Sequence, residues 1–264
     1  MGYEIDGEEM TNEKIWEIAL GQSAVDMNCT PDDFLKGENV ITRSRPHPEA
    51  RKYLPLPFAC DLVSYGNNIV ATCSEEAEPR VRAYLGKYQV EHCFETPNIH
   101  ALDEMLKPLG LKSCFMAEYF LPDVNALQPL SCPYELRILY QPDFAELYTP
   151  EWNHALCEAR KELDILGVGA YHQEKLIGLA ACSADCADMY QIGVNVLPMY
   201  RRQGVASAMT SHLALEILKL GKVPFYCAAW SNLKSVRNAI RCGFRPAWVE
   251  LTAREMALVE EMNG

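Results

Sequence analysis

The sequence lacks several features that would place it in a well-marked class of protein. It has no run of about eighteen uninterrupted apolar residues, which argues against a membrane-spanning helix. The segment Met1–Asp6 is acidic and has no apolar core, so no secretory signal is expected there. There is no short-period repeat and no low-complexity segment, which argues against a solenoid. A globular chain of 264 residues remains.

The cysteines do not form the pattern of a disulfide framework. There are 11 of them, an odd number, scattered from Cys29 to Cys242, whereas secreted disulfide-rich chains are short and have closely spaced, even sets. The one close pair, Cys182 and Cys186, has no second Cys or His pair nearby, so no metal site is expected. We therefore predict reduced thiols in a cytoplasmic protein without a membrane partner.

Basic residues do not form the stripe that binds nucleic acid. The net charge is −12; residues 1–125 carry 11 basic and 21 acidic side chains, and residues 126–264 carry 13 and 15. Because phosphate binding needs clustered positive charge, no nucleic-acid partner is expected. The acidic excess either serves solubility alone or attracts a cationic substrate such as an amine.

A proline-rich stretch, Leu121–Pro133, marks the predicted boundary between two domains. We expect an N-terminal α/β domain over residues 1–128 and a second domain over residues 129–264. Hydrophobic periodicity predicts a helix at Asn12–Met27 and a strand at Cys114–Phe120 in the first part. In the second part it predicts a strand, helices at Phe144–Leu147 and Trp152–Leu163, a two-stranded hairpin, and then strand, helix, strand, helix and strand.

The segment between Val196 and Ala206 carries the clearest chemical signal. A strand ends at Pro198 and a helix starts at Val205, with the small residues Gly204 and Ala206 beside its first turn. The first N–H groups of a helix lack intrahelical partners and attract anions. Arg201 and Arg202 add positive charge, so the pattern predicts a diphosphate site. The alternative is an exposed turn with two solvated arginines.

These residues resemble the signature of the GNAT family, the GCN5-related N-acetyltransferases. Arg201-x-x-Gly204-x-Ala206 matches the family's R/Q-x-x-G-x-G/A motif, and Val196–Arg201 resembles the run before it. Asn232 and Ser235, followed by Gly243-Phe244, resemble the family's downstream pattern. The resemblance covers Pro133 to the end, and the whole chain also resembles two-part bacterial GNAT-like proteins.

The resemblance implies an α+β (mixed α/β) protein with the acyl-CoA N-acyltransferase fold, in which helices flank a mostly antiparallel sheet. It also implies transfer of an acetyl group from acetyl-CoA to an amine, of a small molecule or a peptide, by direct attack in a ternary complex. The first half is either a degenerate relative of the same fold or an unrelated α/β domain. The residues implied to bind coenzyme A are Val194, Val196, Arg201, Arg202, Gln203, Gly204, Val205, Ala206, Ser207 and Asn232.

The catalytic residues depart from the family pattern. The family's usual acid, a Tyr seven residues after the Asn, is Ala239 here, and the usual Glu on the fourth strand is Tyr190. Tyr190 and Ser235 are the candidate catalytic residues, although Tyr190 is also typical of a core aromatic and Asn232 of a helix cap. Asp185 and Asp188 either attract an amine or are solvated loop acids.

The missing acid and base keep other functions open. One alternative is a non-catalytic acyl-CoA-binding regulatory module. A second is an interaction role for the acidic first half, with the other half as a scaffold. An oligomer is compatible with the sequence.

Overall fold

The computed structural model describes residues 4–5 and 8–263, and side chains from residue 10 onward. The expectation about a signal at Met1–Asp6 therefore falls largely outside the described residues. The strands are Glu4–Ile5 (β1), Glu8–Glu9 (β2), Val40–Arg43 (β3), Cys60–Ser64 (β4), Val70–Cys73 (β5), Leu111–Pro122 (β6), Glu135–Tyr140 (β7), Asp164–His172 (β8), Lys175–Ser183 (β9), Met189–Val196 (β10), Val223–Ala228 (β11) and Phe244–Glu255 (β12). The helices are Asn12–Met27 (α1), Glu78–Leu85 (α2), Thr96–Leu106 (α3), Val205–Lys219 (α4), Leu233–Arg241 (α5) and Met256–Asn263 (α6).

The chain divides into two compact units, and each contains two separate stretches of sequence. The first unit comprises Met1–Ala19 and Phe120–Pro246, and the second comprises Leu20–Tyr119 and Ala247–Gly264. The predicted division into residues 1–128 and 129–264 differs from this arrangement, because it kept each half of the chain in one domain. The difference arises because the chain enters the second unit twice, the second time in the middle of β12.

The first unit contains a mostly antiparallel sheet in the order β11-β10-β9-β8-β7. The pairs β7–β8, β8–β9 and β9–β10 are antiparallel, and β10–β11 is parallel. Helix α4 packs on β8, β9 and β10. A Cβ on Gly178 of β9 would lie 2.8 Å from Met209 Cε and 3.0 Å from Val205 Cγ1, so this glycine lets the first turns of α4 lie close to the sheet.

The predicted helices Phe144–Leu147 and Trp152–Leu163 are wrong. This region forms short 3₁₀ turns at Gln141–Phe144, Pro150–Trp152 and Glu158–Arg160. A proline at the first or second position opens the first two of these turns. A short 3₁₀ turn does not build the continuous i→i−4 ladder of an α-helix. The rest of the segment is irregular backbone that lies against β10.

The second unit is also a mixed α/β structure. Its strands β3 and β5 pair in parallel, while β5–β4 and β4–β12 are antiparallel. Leu62, Tyr84, Leu102 and Leu251 are among the fully or almost fully buried side chains of its core. The two units therefore agree with the predicted α+β class, with helices against mostly antiparallel sheets.

Candidate functional site

Strand β10 separates from β11 part of the way along its length. The parallel pairing covers Met189–Gln191 on β10 and Val223–Phe225 on β11, whereas the ladder between β10 and β9 continues to Val196. From Ile192 to Val196, β10 therefore has a free edge on its β11 side in the described part of the chain. A free strand edge presents N–H and C=O groups that an extended ligand can pair with.

The hydrogen-bond phase of β10 determines which residues face this gap. The N–H of Leu197 donates to the Ile177 carbonyl oxygen at 2.9 Å. Residues of an antiparallel strand alternate between groups that bond the partner strand and groups that point away from it. The N–H and C=O of Val194 and Val196 therefore point away from β9 and toward the gap. The Val196 carbonyl oxygen accepts a hydrogen bond from Arg201 Nε at 2.9 Å, which agrees with this phase.

The turn after β10 brings a helix N-terminus to the same place. Gly204 is the N-cap of α4 and has φ +80°, and Arg202 has φ +63°. The left-handed conformation is costly for residues with a Cβ, so glycine suits this position. The N–H groups at the start of α4 have no intrahelical partners, and the dipole of the 15-residue helix makes this end positive. The arrangement suits an anion.

Side chains around the turn hold it in place. Gln203 Nε2 donates to the Met199 carbonyl oxygen at 3.1 Å, and the Tyr134 hydroxyl donates to Gln203 Oε1 at 2.6 Å. Arg201 and Arg202 are exposed, whereas Val205 is buried. The Gln203 side chain is thus used within the protein, and the groups that remain for a ligand are mainly backbone N–H groups and the two guanidinium groups.

A cavity of about 340 Å³ lies beside the point where β10 and β11 separate. Of the predicted site residues, it includes Val194, Asn232 and Ser235. The residues of the anion-binding turn are not part of its wall. The lining residues are Asn153, His154, Ala155, Leu156, Cys157, Arg160, Asp164, Ser183, Gln191, Ile192, Gly193, Val194, Tyr226, Cys227, Asn232 and Ser235.

Gly193 allows one wall of this cavity to form. A Cβ at Gly193 would overlap the carbonyl oxygen of His154 and would lie 3.1 Å from the Cα of Ala155. The His154 N–H donates to Asn195 Oδ1 at 2.9 Å, so β10 holds this loop from both its backbone and its side chains. No local sequence pattern predicts this contact, because the loop and the strand are about 40 residues apart.

Helix α5 contributes a second wall and a buried polar network. Asn232 Oδ1 accepts the Ser235 N–H at 3.3 Å, so Asn232 caps the helix. Asn238 accepts from Ser207 Oγ at 3.0 Å and donates to Thr210 Oγ1 at 3.0 Å, and all three side chains are buried. The Ser207 hydroxyl is therefore turned into the protein, which leaves its backbone N–H for a ligand.

Tyr226 is a functional candidate that sequence reasoning missed. It lies on β11, lines the cavity and is 3% exposed. Burial raises the pKa of its hydroxyl, and hydrogen bonding from Ser235 and Asn238 partly opposes that rise. The hydroxyl is therefore protonated at neutral pH and placed beside Ser235. In the sequence, the only feature that could have indicated Tyr226 is its position six residues before Asn232.

Tyr190 is not among the residues that line the cavity, and its catalytic role stays a prediction. Its neighbour Gln191 points into the cavity and donates to Cys227 Sγ at 3.0 Å. Because side chains alternate along a strand, Tyr190 points to the opposite face of the sheet. Burial raises the pKa of Tyr190, and the positive charge of Lys222 opposes that rise.

A buried carboxylate, Asp164, also lines the cavity and was not predicted. Burial raises the pKa of Asp164 to about 6, although the Cys157 N–H and the Tyr148 hydroxyl donate to it and lower the pKa. The acids considered from sequence are used elsewhere: Asp185 is buried and pairs with Arg160 at 3.0 Å, and Asp188 pairs with Lys222 at 2.9 Å. Asp185 and Asp188 are not part of the cavity wall.

The described residues contain no group of three or more His, Cys, Asp or Glu side chains able to hold a metal ion. Each of the 11 cysteines is a free thiol. Among the helices that the structure describes, none combines the length and the apolar content needed to cross a membrane. The site is thus built from a strand edge, a helix N-terminus and a polar cavity.

The candidate site thus combines an open strand edge with the N-terminus of a helix. Residues 123–247, just under half of the chain, match the model of a family described as GNAT acetyltransferase. This part of the chain is therefore similar to the GNAT acetyltransferases. No curated protein matches it by sequence.

Solved structures with a similar fold are distant. A GNAT-family acetyltransferase candidate from Novosphingobium aromaticivorans is 18% identical, over 55% of this chain and 66% of that one, with a TM-score of 0.40. A GCN5-related N-acetyltransferase-like protein from Streptococcus suis is 19% identical, over 58% and 68%, with a TM-score of 0.44. An acetyltransferase candidate from Salmonella typhimurium with its cofactor acetyl-CoA is 17% identical, over 46% and 93%, with a TM-score of 0.36. This chain spans about two thirds of the length of the first two of these proteins.

Proposed function

We propose that this protein is an N-acetyltransferase that moves an acetyl group from acetyl-CoA to an amine. The observation that carries the proposal is the free edge of β10, which lies between the N-terminus of α4 and a polar cavity. The diphosphate of acetyl-CoA would bind at the N-terminus of α4, and its extended, amide-containing arm would lie along the strand edge. Its reactive thioester end would then reach the cavity. A cytoplasmic location, where thiols stay reduced, is part of the proposal.

The residues of the site fit such a substrate. The backbone N–H groups from Arg202 to Ser207 would receive the diphosphate, and they stay accessible because Gly204 has no side chain and that of Ala206 is a single methyl group. The gap-facing backbone groups of Val194 and Val196 would pair with the amides of the pantetheine arm. Asn232 lies across the gap and has its side-chain NH₂ left to contact the same arm, since its oxygen caps α5.

The chemistry needs little beyond positioning and proton transfer. Acetyl-CoA supplies an acyl carbon with a thiolate leaving group. A gap-facing N–H of β10 would donate a hydrogen bond to the acyl oxygen as negative charge develops on it. The amine nitrogen forms the new C–N bond and loses a proton to water, the C–S bond breaks, and the sulfur keeps the electron pair. The Tyr226 hydroxyl, beside Ser235, is placed to protonate that sulfur.

The first experiment is a thermal titration with acetyl-CoA of the native chain, Gly204→Glu and Gly221→Glu. Both glycines have positive φ, at +80° and +77°, and they lie at opposite ends of α4. The two variants therefore carry the same side chain under similar backbone strain. A ligand that binds only the folded state at about 100 times its Kd stabilises it by about 2.7 kcal/mol.

We expect the melting temperature of the native chain and of Gly221→Glu to rise with acetyl-CoA, and that of Gly204→Glu to stay unchanged. An equal rise in both variants would move the cofactor site away from the turn at Gly204. No rise in the native chain would refute the use of acetyl-CoA.

A non-catalytic acyl-CoA-binding module is the second candidate function. Ala239, which is fully buried, occupies the position where the family usually has its tyrosine acid. This candidate predicts the same thermal response to acetyl-CoA but no release of coenzyme A thiol with any amine. Thiol release in the presence of an amine would exclude it.

A further inference from the structure

Three polar residues form a row across the floor of the cavity in the first unit. Asp164 on β8 pairs with Ser183 on β9, and Ser183 pairs with Gln191 on β10. Residues that pair directly across strands project from the same face of a sheet, and all three line the cavity. Adjacent strands lie about 4.8 Å apart, so Asp164 is roughly 10 Å from Gln191, where the gap begins.

Asp164 ends this row with a carboxylate whose bonding is incomplete. Its Oδ2 accepts the Cys157 N–H at 2.8 Å and the Tyr148 hydroxyl at 3.3 Å. Its Oδ1 accepts no hydrogen bond, and the side chain has no ion-pair partner, within the part of the chain that the structure describes. Asp164 is 1% exposed and lies in the cavity wall, so a group bound in the cavity can reach the remaining oxygen.

Ser183, the next residue in the row, supplies an independent observation. Its Oγ is buried and has no hydrogen-bond partner among the described residues. A serine hydroxyl accepts as well as donates, and an unsatisfied one in a cavity wall is expected to have a ligand or water partner. Asp164 and Ser183, which pair across neighbouring strands, thus each present to the cavity an acceptor oxygen that no donor from the described residues bonds.

The charges around Asp164 favour a cationic ligand. Arg160, the one cationic side chain in the cavity wall with a fixed charge, forms its ion pair with the buried Asp185 at 3.0 Å. An anionic ligand would therefore meet an already neutralised arginine and an unpaired carboxylate. A neutral ligand would leave that carboxylate buried and unpaired, whereas an ammonium group would donate to both Asp164 and Ser183.

We propose that the amine acceptor carries a second ammonium group, held by Asp164 and Ser183, so that the acceptor is a diamine or polyamine. Its reacting amine would lie at the gap beyond Gln191, about two strand spacings away. The proposal rests on the proposed function for the reacting end, but the ammonium site itself is a binding site independent of acetyl transfer.

The site implies a pH dependence of binding. Asp164, whose pKa is raised to about 6, holds an ammonium group only when it is ionised. The groups that act on it are Tyr148 and the Cys157 backbone, which stabilise the charge, Arg160, which does so weakly, and Asp185, which opposes it. Binding of a diamine should therefore weaken as the pH falls through about 6, while binding of a monoamine should change less.

The test is calorimetric titration of the full chain with cadaverine and with pentylamine, which differ by one ammonium group on the same carbon chain. The variants are Asp164→Asn, Ser183→Ala and the control Asp188→Asn, which removes one negative charge outside the cavity. Hydrogen bonds to charged groups contribute about 1.5–3 kcal/mol, so we expect cadaverine to bind about tenfold or more tightly than pentylamine. The preference should disappear in Asp164→Asn, weaken in Ser183→Ala and persist in Asp188→Asn.

Equal binding of the two amines to the native chain would overturn the proposal, as would a cadaverine preference that survives Asp164→Asn. If Asp164→Asn fails to fold, Ser183→Ala decides with the same titration, and an unweakened preference there counts against the site. Coenzyme A release is measured separately with cadaverine and acetyl-CoA. Asp164-dependent binding without release would leave the ammonium site standing and refute the acetyltransferase instead.

Discussion

At the scale of single residues, the proton donor is the main departure from the family pattern. The usual tyrosine position on α5 is the buried Ala239, but Tyr226 on the neighbouring strand β11 reaches the same polar network. Ser235 and Asn238 both act on its hydroxyl, and Asn238 is fixed by Ser207 and Thr210. We propose that this tyrosine on a strand takes the role that the family usually gives to a tyrosine on the helix.

This replacement gives a direct prediction for Tyr226→Phe. The hydroxyl is lost while the ring and its packing remain, and positioned acids contribute roughly 100-fold or more to rate. We expect kcat to fall about 100-fold in an acetyl transfer assay, with the Kd for acetyl-CoA unchanged. Tyr190→Phe is the matched control, because Tyr190 lies outside the cavity wall, and its kcat should change less than about threefold. Equal losses in the two variants would remove Tyr226 from the mechanism.

At the scale of elements, the sequence predicted helices correctly where the signal lies within a few neighbouring residues. The predicted helices at Asn12–Met27 and after Gly204 are present, because periodicity and an N-cap glycine act within a few residues. Helices were predicted at Phe144–Leu147 and Trp152–Leu163 and are not formed, because the path of this region depends on a distant contact with β10. Asp164 and Tyr226 were missed for the same reason, since only strand pairing brings them to one cavity.

The contact between Gly193 and the loop at His154 carries the second prediction. An added methyl group in Gly193→Ala would push the loop from the strand, and overpacking typically costs about 1–3 kcal/mol. We expect a loss of this size in urea denaturation and a several-fold rise in the KM of the amine acceptor. Gly37→Ala, where a Cβ meets nothing within 4 Å, should change neither quantity. Unaltered stability and KM in Gly193→Ala would show that the loop is free to move.

At the scale of the whole molecule, the domain boundary predicted from the prolines differs from the two compact units of the structure. Each of these units combines two separate stretches of the sequence. The Pro-rich stretch at 121–133 lies inside the first unit, near Phe120, where the chain enters it. The C-terminal part of β12 belongs to the second unit, and no local signal marks that transfer inside a strand. Whether the second unit descends from the same fold stays a prediction, because the family match ends at residue 247.

The second unit contains a buried group of charges whose balance depends on Arg51. Arg51 pairs with Asp26 at 3.2 Å, and both are almost fully buried. Asp61 and Glu250 line the same small space, and burial raises the pKa of both carboxyls. The positive charge of Arg51 lowers these pKa values, so its removal would leave three acids that must either take up protons or remain ionised without a cation.

Arg51→Met should therefore destabilise the protein in a pH-dependent way. Breaking a buried ion pair costs about 3–5 kcal/mol, which we expect in urea denaturation near pH 7. The raised pKa values mean that the acids gain protons readily as the pH falls, so the loss should shrink toward about pH 5. Arg43→Met breaks the exposed ion pair with Glu75 and should cost less than about 1 kcal/mol at either pH. A loss in Arg51→Met that is small, or that grows on acidification, would mean that the three acids are already neutral beside Arg51 at pH 7.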